Sequence, residues 1–236
     1  MKILIIGGSG GIGQALIKEA LQRFEGANIY ATYHKNKPQW NLPCLTWLPL
    51  DATNENQIFK LSQKITDLDL LINSIGFLHS PSQLPEKSVQ QFDVDFFQQN
   101  LSLNTLPTLL LAKHFQSAFK NAGNQSRFAV FSARIGSISD NRLGGWVSYR
   151  SSKAALNMAI KTISIEWQRT VKNVCLFAFH PGTTDTELSK PFQHNLKPQQ
   201  LQTAKHTAEA FFDVCGQLTS ADSGCFVDYQ GNSITW

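Results

Sequence analysis

The chain opens Met1-Lys2-Ile3-Leu4-Ile5-Ile6-Gly7-Gly8-Ser9-Gly10-Gly11-Ile12-Gly13 and continues Gln14-Ala15-Leu16-Ile17-Lys18-Glu19-Ala20-Leu21. The apolar run 2–6 is too short to cross a bilayer and lacks the flanks of a signal peptide, so it reads as a buried parallel strand. After the glycines, apolar positions recur at helical spacing. Glycine between a strand and a helix permits positive φ and lets the backbone come close to a ligand. The free N–H groups of the helix start then favour an anion, above all a pyrophosphate. A glycine-rich turn alone is a weak signal; the strand before it and the helix after it are the context that the motif requires.

Working outward, strand-like runs recur at 2–6, 28–33, 45–50, 69–73, 127–132, 173–179 and 225–229, with helix-like stretches between nearly all of them. Such alternation predicts an α/β fold: a Rossmann-type doubly wound sheet of about seven parallel strands with helices on both faces. Crossovers should be right-handed, and ligands should gather outside the carboxyl ends of the strands. Residues 86–122 read as two helices separated near 100–104, and 38–43 as a loop. At 236 residues the chain suits a single domain, 1–236.

Hydrophobic residues make up 42% and charged ones 16%, which excludes a disordered chain. The formal net charge of +4 comes from scattered basic residues, so neither a nucleic acid nor a membrane surface is an expected partner. Cys44, Cys175, Cys215 and Cys225 form no CxxC pair and have no histidine at zinc spacing; reduced thiols in a cytoplasmic protein, with no metal site, are expected.

Far from the glycines stands Tyr149-Arg150-Ser151-Ser152-Lys153. Spacing of i and i+4 on a helix puts phenol and ammonium on one face, where the cation favours the phenolate and lowers a pKa of about 10. A tyrosine so tuned is an acid or base near neutral pH. A lone YxxxK is most often chance, and only the glycine turn at the other end of the chain lifts it.

Taken together, Gly7, Gly11 and Gly13 as GxxxGxG, Asn73-Ser74-Ile75-Gly76, Tyr149 with Lys153, and Pro181-Gly182 resemble the short-chain dehydrogenase/reductase family, in order and separation over the whole chain. The run Ser132-Ala133-Arg134-Ile135-Gly136-Ser137, the segment from Asp140 to Trp146 and the ending Asp228-Tyr229-Gln230-Gly231 further resemble its C-factor-like branch, which also contains carbonyl reductases. The resemblance implies an NAD(P)-dependent oxidoreductase moving hydride between nicotinamide and a small carbonyl or alcohol, with Tyr149 as acid/base. Lys153 would lower the tyrosine pKa and hold the nicotinamide ribose. Asn104 would bend its helix and bind a water in a proton path, although a helix asparagine shortly before a proline can equally be structural. Gly7, Ser9, Gly10, Gly11, Ile12 and Gly13 would cradle the cofactor. Asp51 with Ala52, and Asn73, Ser74 and Gly76, would meet its adenine side. Pro181, Gly182, Thr184 and Thr186 would grip the carboxamide and pyrophosphate.

The second strand ends Tyr33-His34-Lys35, where an acid would select NAD, so NADP(H) is favoured and NAD(H) stays possible. Unless His34 and Lys35 are only a solvated strand end, they would meet the 2′-phosphate. The family's carbonyl-orienting serine falls on Ala133. Ser132 lies one residue early and could replace it only where the strand has broken into a loop, because strand neighbours point to opposite faces; Ser137 is the other candidate. Residues 187–202 should form a lid, with Trp146, Phe77 and Phe192 lining an apolar pocket. The family also implies a homodimer or homotetramer packed through helices around 104–119 and 151–168. Ala133 motivates an alternative, a weakly active or inactive nucleotide-binding sensor of the C-factor type.

Overall fold

The computed structural model describes residues 1–40, 42–122 and 125–236, leaving aside the side chains of Asn195 and Pro198; Asn41 of the expected loop 38–43 lies outside the described residues. Strand β1 (Lys2–Ile6) leads into helix α1 (Gly11–Arg23), followed by β2 (Asn28–Tyr33), β3 (Leu45–Pro49), α2 (Glu55–Lys64) and β4 (Leu70–Asn73). Next come α3 (Val94–Asn104), α4 (Leu106–Asn121), β5 (Ser126–Phe131), α5 (Val147–Thr170) and β6 (Val174–His180). A short β7 (Thr183–Thr184) pairs with β8 (Leu201–Gln202), and α6 (Ala204–Gln217) and β9 (Phe226–Asp228) close the chain.

Seven strands form one parallel sheet in the order β3-β2-β1-β4-β5-β6-β9. The order reverses at β1 and β4, so a crevice opens at the carboxyl end between them, where dinucleotide folds bind their ligands. Alternation along β1 divides the core: Leu4 and Ile6 face α2, α4 and α5, whereas Ile3 and Ile5 face α1 and α6. All four are fully buried, each contributing about 1.5–3 kcal/mol by leaving water. The doubly wound expectation is thus met, with every strand of the main sheet within one residue of its expected bounds.

Two details differ from expectation. The break between α3 and α4 falls at Thr105, past the expected 100–104: α3 runs through Asn104, and Pro107 in the first turn of α4 sets the restart. The β7–β8 ribbon was not foreseen, since two-residue strands carry no periodicity. It clasps both ends of 185–200, helped by the Asp185 N–H donating to Gln202 O at 2.8 Å.

Candidate active site

The glycine turn after β1 is built from its neighbours. Gly7 takes φ +82°, its N–H donates to Thr32 Oγ1 at 3.0 Å, and Gly10 N–H donates back to Gly7 O at 3.0 Å. Asn54, Asp93 and Thr203 cap their helices with side chains, but Gly10, the residue before α1, has no side chain to cap with. The first N–H groups of α1 are therefore left for an anion. Close approach explains the glycines inside the helix. A Cβ on Gly13 would stand 2.2 Å from Gly7 O, and one on Gly11 would stand 2.9 Å from Thr186 Cγ2. Gly13→Ala must push backbone apart, at about 1–3 kcal/mol. A thermal melt should show Tm lower by roughly 5 °C for a chain of this size; an unchanged Tm would refute the contact.

Three adjoining hollows make one cleft along the carboxyl edge of the sheet. The first, about 290 Å³, is lined by Gly7, Ser9, Gly10, Tyr33, His34, Asp51, Ala52, Ser74 and Gly76. The second, about 560 Å³, shares Ser9, Gly10, Ser74 and Gly76 with it and adds Gly11, Ile12, Gly13, Tyr149, Lys153, Pro181 and Thr186. The third, about 320 Å³, shares Ile12, Tyr149, Pro181 and Thr186, and reaches Gly182, Thr184, Trp146 and Phe192. Residues from opposite ends of the sequence thus line one cavity. Lys35 is exposed and is not among the groups lining the first hollow. Asp51 Oδ1 accepts from the Thr53 N–H and hydroxyl at 2.9 and 2.7 Å, and these bonds hold its carboxyl below the usual range.

Asn73 is turned inward: its amide donates to Thr108 Oγ1 at 2.9 Å and its Oδ1 accepts from Ile75 N–H, so it fixes the end of β4. Asn104 is buried and latched: Oδ1 accepts from Phe77 N–H, and Nδ2 donates to Phe77 O and Ser152 Oγ. It ties the end of α3 to the segment after β4 and to α5. Phe77 packs on Phe96 at 5.8 Å, not on the apolar cavity it was expected to line, while Trp146 and Phe192 do line it and meet at 4.8 Å. Thr184 is buried, hydrogen-bonded to the Thr207 hydroxyl at 2.8 Å.

Tyr149 and Lys153 lie one turn apart on α5, with Lys153 Nζ 5.9 Å from the phenol ring centroid. Both are buried, and burial decides their acidity. The phenol is pushed up from its ordinary value, and Lys153 is pushed down to about 8. The lowered tyrosine pKa expected from the i, i+4 spacing is therefore corrected: loss of water raises it. Lys153 Nζ donates to Phe131 O at 3.1 Å.

Ser132 lines both the central cavity and the third hollow, as Tyr149 does. Its N–H donates to Phe179 O at 2.9 Å and Ala133 stays extended (φ −145°, ψ 140°), so strand geometry runs on past the end of β5. The Ser132 hydroxyl donates to Asn157 Oδ1 at 2.6 Å, and Asn157 Nδ2 is buried without a partner. Ser137 is buried, accepting from Asp140 N–H. A polar group that sequence reasoning missed, His180, lines the third hollow. Burial and the nearby Arg134 charge push its pKa down to about 4, so its ring is neutral, and its Nδ1 is buried without a partner. Thr32 was also missed, whereas Leu188 and Ser189, which line the third hollow, fall within the expected lid 187–202. Only the rule that ligands lie at strand ends could have flagged Thr32 and His180.

A family model described as short chain dehydrogenase matches residues 1–197. The chain belongs to that family. Among curated relatives, the 1-hydroxy-2-glutathionyl-2-methyl-3-butene dehydrogenase of Rhodococcus sp. (strain AD45) is 24% identical, covering 99% of each chain. The C-signal protein of Myxococcus xanthus is 29% identical over 61% of this chain and 82% of its own. Among solved structures, NADPH-bound carbonyl reductase from chicken fatty liver superposes with a TM-score of 0.86 at 24% identity, covering 100% of this chain and 98% of that one. The short-chain dehydrogenase/reductase resemblance is thereby established, with C-signal among the curated relatives and a carbonyl reductase among the structures that share the fold. Among the described residues no helix is long and apolar enough to cross a membrane, and no group of three or more His, Cys, Asp or Glu residues is placed to hold a metal ion.

Proposed function

We propose that the chain is an NADP-preferring oxidoreductase that reduces a small aldehyde or ketone, or runs the reverse alcohol oxidation, with Tyr149 as acid/base. The observation that carries this reading is the central cavity shared by the glycine nest and the Tyr149–Lys153 pair. The nest fits a dinucleotide: a Cβ on Gly13 would strike the backbone of Gly7 and Gly8, one on Gly11 would strike the Thr186 side chain, and α1 leaves its N–H groups to an anion. Gly10 to Gly13 would hold the pyrophosphate, Asp51 and Ser74 the adenine side, and Thr186 and Pro181 the far end. When bound, a nicotinamide cofactor supplies the hydride.

The remaining chemistry belongs to the chain. Tyr149 keeps its proton at neutral pH, the form needed to donate to an alkoxide as charge develops. Lys153, still mostly charged at pH 7 with a pKa of about 8, favours the phenolate left behind. Trp146, Phe192 and Leu188 would exclude water around the carbonyl. A homo-oligomer through α4 and α5 is part of the proposal, supported by Leu109, Met158 and Ile165, which are exposed on those helices.

NADPH oxidation followed by absorbance across a panel of aldehydes, diketones and quinones tests the activity. Cofactor preference is tested separately. His34→Asp combined with Lys35→Ala should lower NADPH affinity at least about tenfold relative to NADH, roughly 1.4 kcal/mol. Equal losses for both cofactors would remove the assignment. Ala133, together with the Ser132–Asn157 hydrogen bond, favours a second reading, a nucleotide sensor of the C-factor type. Tight NADPH binding with no turnover across the panel would select it.

A further inference from the structure

Glu86 stands on the long connection between β4 and α3, outside both the nest and the Tyr149–Lys153 pair, yet it is only 3% exposed. A carboxylate is rarely taken out of water unless its oxygens are matched by donors. Here the donors come from the first turn of α5. Ser148 N–H donates to Oε2 at 3.3 Å, and the Ser148 hydroxyl donates to Oε1. Ser148 immediately precedes Tyr149. The backbone carbonyl of Glu86 accepts from Trp146 N–H as well.

What this grip holds is strained. Gly144, Gly145 and Trp146 follow one another at φ +64°, +67° and +53°, and Trp146 is the one non-glycine residue with positive φ among the described residues. A bulky side chain adopts the left-handed region only when its surroundings over-determine it. Trp146 is also the residue before α5 and offers that helix no side-chain cap. Glu86 supplies the acceptor from a distant segment, at the helix end where free N–H groups and the dipole favour a negative charge. The ring so fixed walls the third hollow, 4.8 Å from Phe192 and 6.3 Å from Tyr149 between centroids.

We propose that Glu86 is a positioning residue for the proton-donor end of the cleft. Its carboxylate and its carbonyl together fix Trp146 in the left-handed conformation and the first turn of α5 beneath Tyr149, and so set the direction from which a carbonyl meets the phenol. The catalytic half of this inference rests on Tyr149 acting as proton donor; the positioning of Trp146 does not.

The test uses the full chain carrying Glu86→Ala, Glu86→Gln or Ser148→Ala. Three quantities are read: kcat and KM for an aldehyde reduced by wild type, NADPH affinity by fluorescence titration, and acrylamide quenching of Trp146, isolated by difference against Trp146→Phe. Glu86→Ala is expected to lower kcat at least tenfold, to make Trp146 at least twice as quenchable, and to leave NADPH affinity within twofold. Glu86→Gln keeps one acceptor but turns a donor towards Ser148, and Ser148→Ala keeps only the backbone bond; each should fall between wild type and Glu86→Ala in both kcat and quenching. Wild-type kcat and quenching in folded Glu86→Ala would overturn the proposal, as would NADPH affinity falling in parallel with kcat. Where Glu86→Ala does not fold, wild-type values in both milder variants overturn it, and intermediate values uphold it. Should wild type bind NADPH and reduce nothing, the proton-donor reading fails on its own, and Trp146 quenching still decides whether Glu86 holds this loop.

Discussion

Tyr149→Phe is expected to lower carbonyl reduction about a thousandfold while NADPH binding and Tm stay at wild-type values. Proton transfer by a positioned side chain contributes roughly 10²–10⁴-fold, and of the groups lining the central cavity Tyr149 also faces the third hollow, while Lys153 donates to Phe131 O. The Ser132 hydroxyl is hydrogen-bonded to Asn157 Oδ1, and Ala133 has no proton to offer. His180 lines only the neighbouring hollow. The fold should be indifferent to the change, because no hydrogen bond within the described chain is made by the phenol oxygen. Removing it leaves no buried partner unsatisfied. Steady-state kinetics, NADPH titration and a melt on the same preparation check the claim. Turnover within a few-fold of wild type would remove Tyr149 from the chemistry, whereas NADPH binding lost together with turnover would mean that the phenol belongs to the cofactor cradle instead.

How far such a result can be anticipated from the sequence depends on the range of the interaction concerned. The sheet was legible because a parallel strand buried on both faces reads as a plain apolar run, and because each helix between strands repeats its apolar positions locally. The glycine nest and the Tyr149–Lys153 spacing were legible for the same reason, each being a pattern within one element or one turn. The acidity of that pair was not. It depends on how deeply α5 is buried against β5, and burial reverses the sign that pairwise spacing alone predicts. The direction of Ser132 was likewise undetermined, since it turns on whether Ala133 keeps strand geometry, which the Ser132–Phe179 bond to β6 decides. Glu86 escaped notice because its partners sit across the fold on α5, and nothing near it in sequence marks a carboxylate that will be buried.

Lys153→Met is expected to abolish carbonyl reduction and yet to stabilise the chain at pH 7. The native environment lowers the lysine pKa from 10.5 to about 8, chiefly by desolvation. A shift of that size corresponds to about 3 kcal/mol of unfavourable burial of the charged form. The sign follows from proton linkage. Between pH 8 and 10.5 the unfolded chain holds a proton on this lysine that the native chain has lost, so native stability from this group rises with pH across that window. Below pH 8 the penalty is present in full, and above 10.5 it is gone. Methionine has no charge to bury, so it escapes the penalty, but it leaves Phe131 O without the donor it has at 3.1 Å, a loss of about 1–3 kcal/mol. The net gain at pH 7 is therefore about 1 kcal/mol, or a rise in Tm of a few degrees. By pH 10.5 only the lost hydrogen bond remains, and the variant should be the less stable of the two. Melting curves of both proteins from pH 6 to 10.5 test this crossing; parallel curves would mean that Lys153 is not destabilised by burial. Wild-type reduction should also decline as pH passes about 8, because a neutral amine no longer favours the phenolate that proton donation leaves on Tyr149. Stability and turnover thus pull this one side chain in opposite directions, as expected where a charge is kept buried for its chemistry.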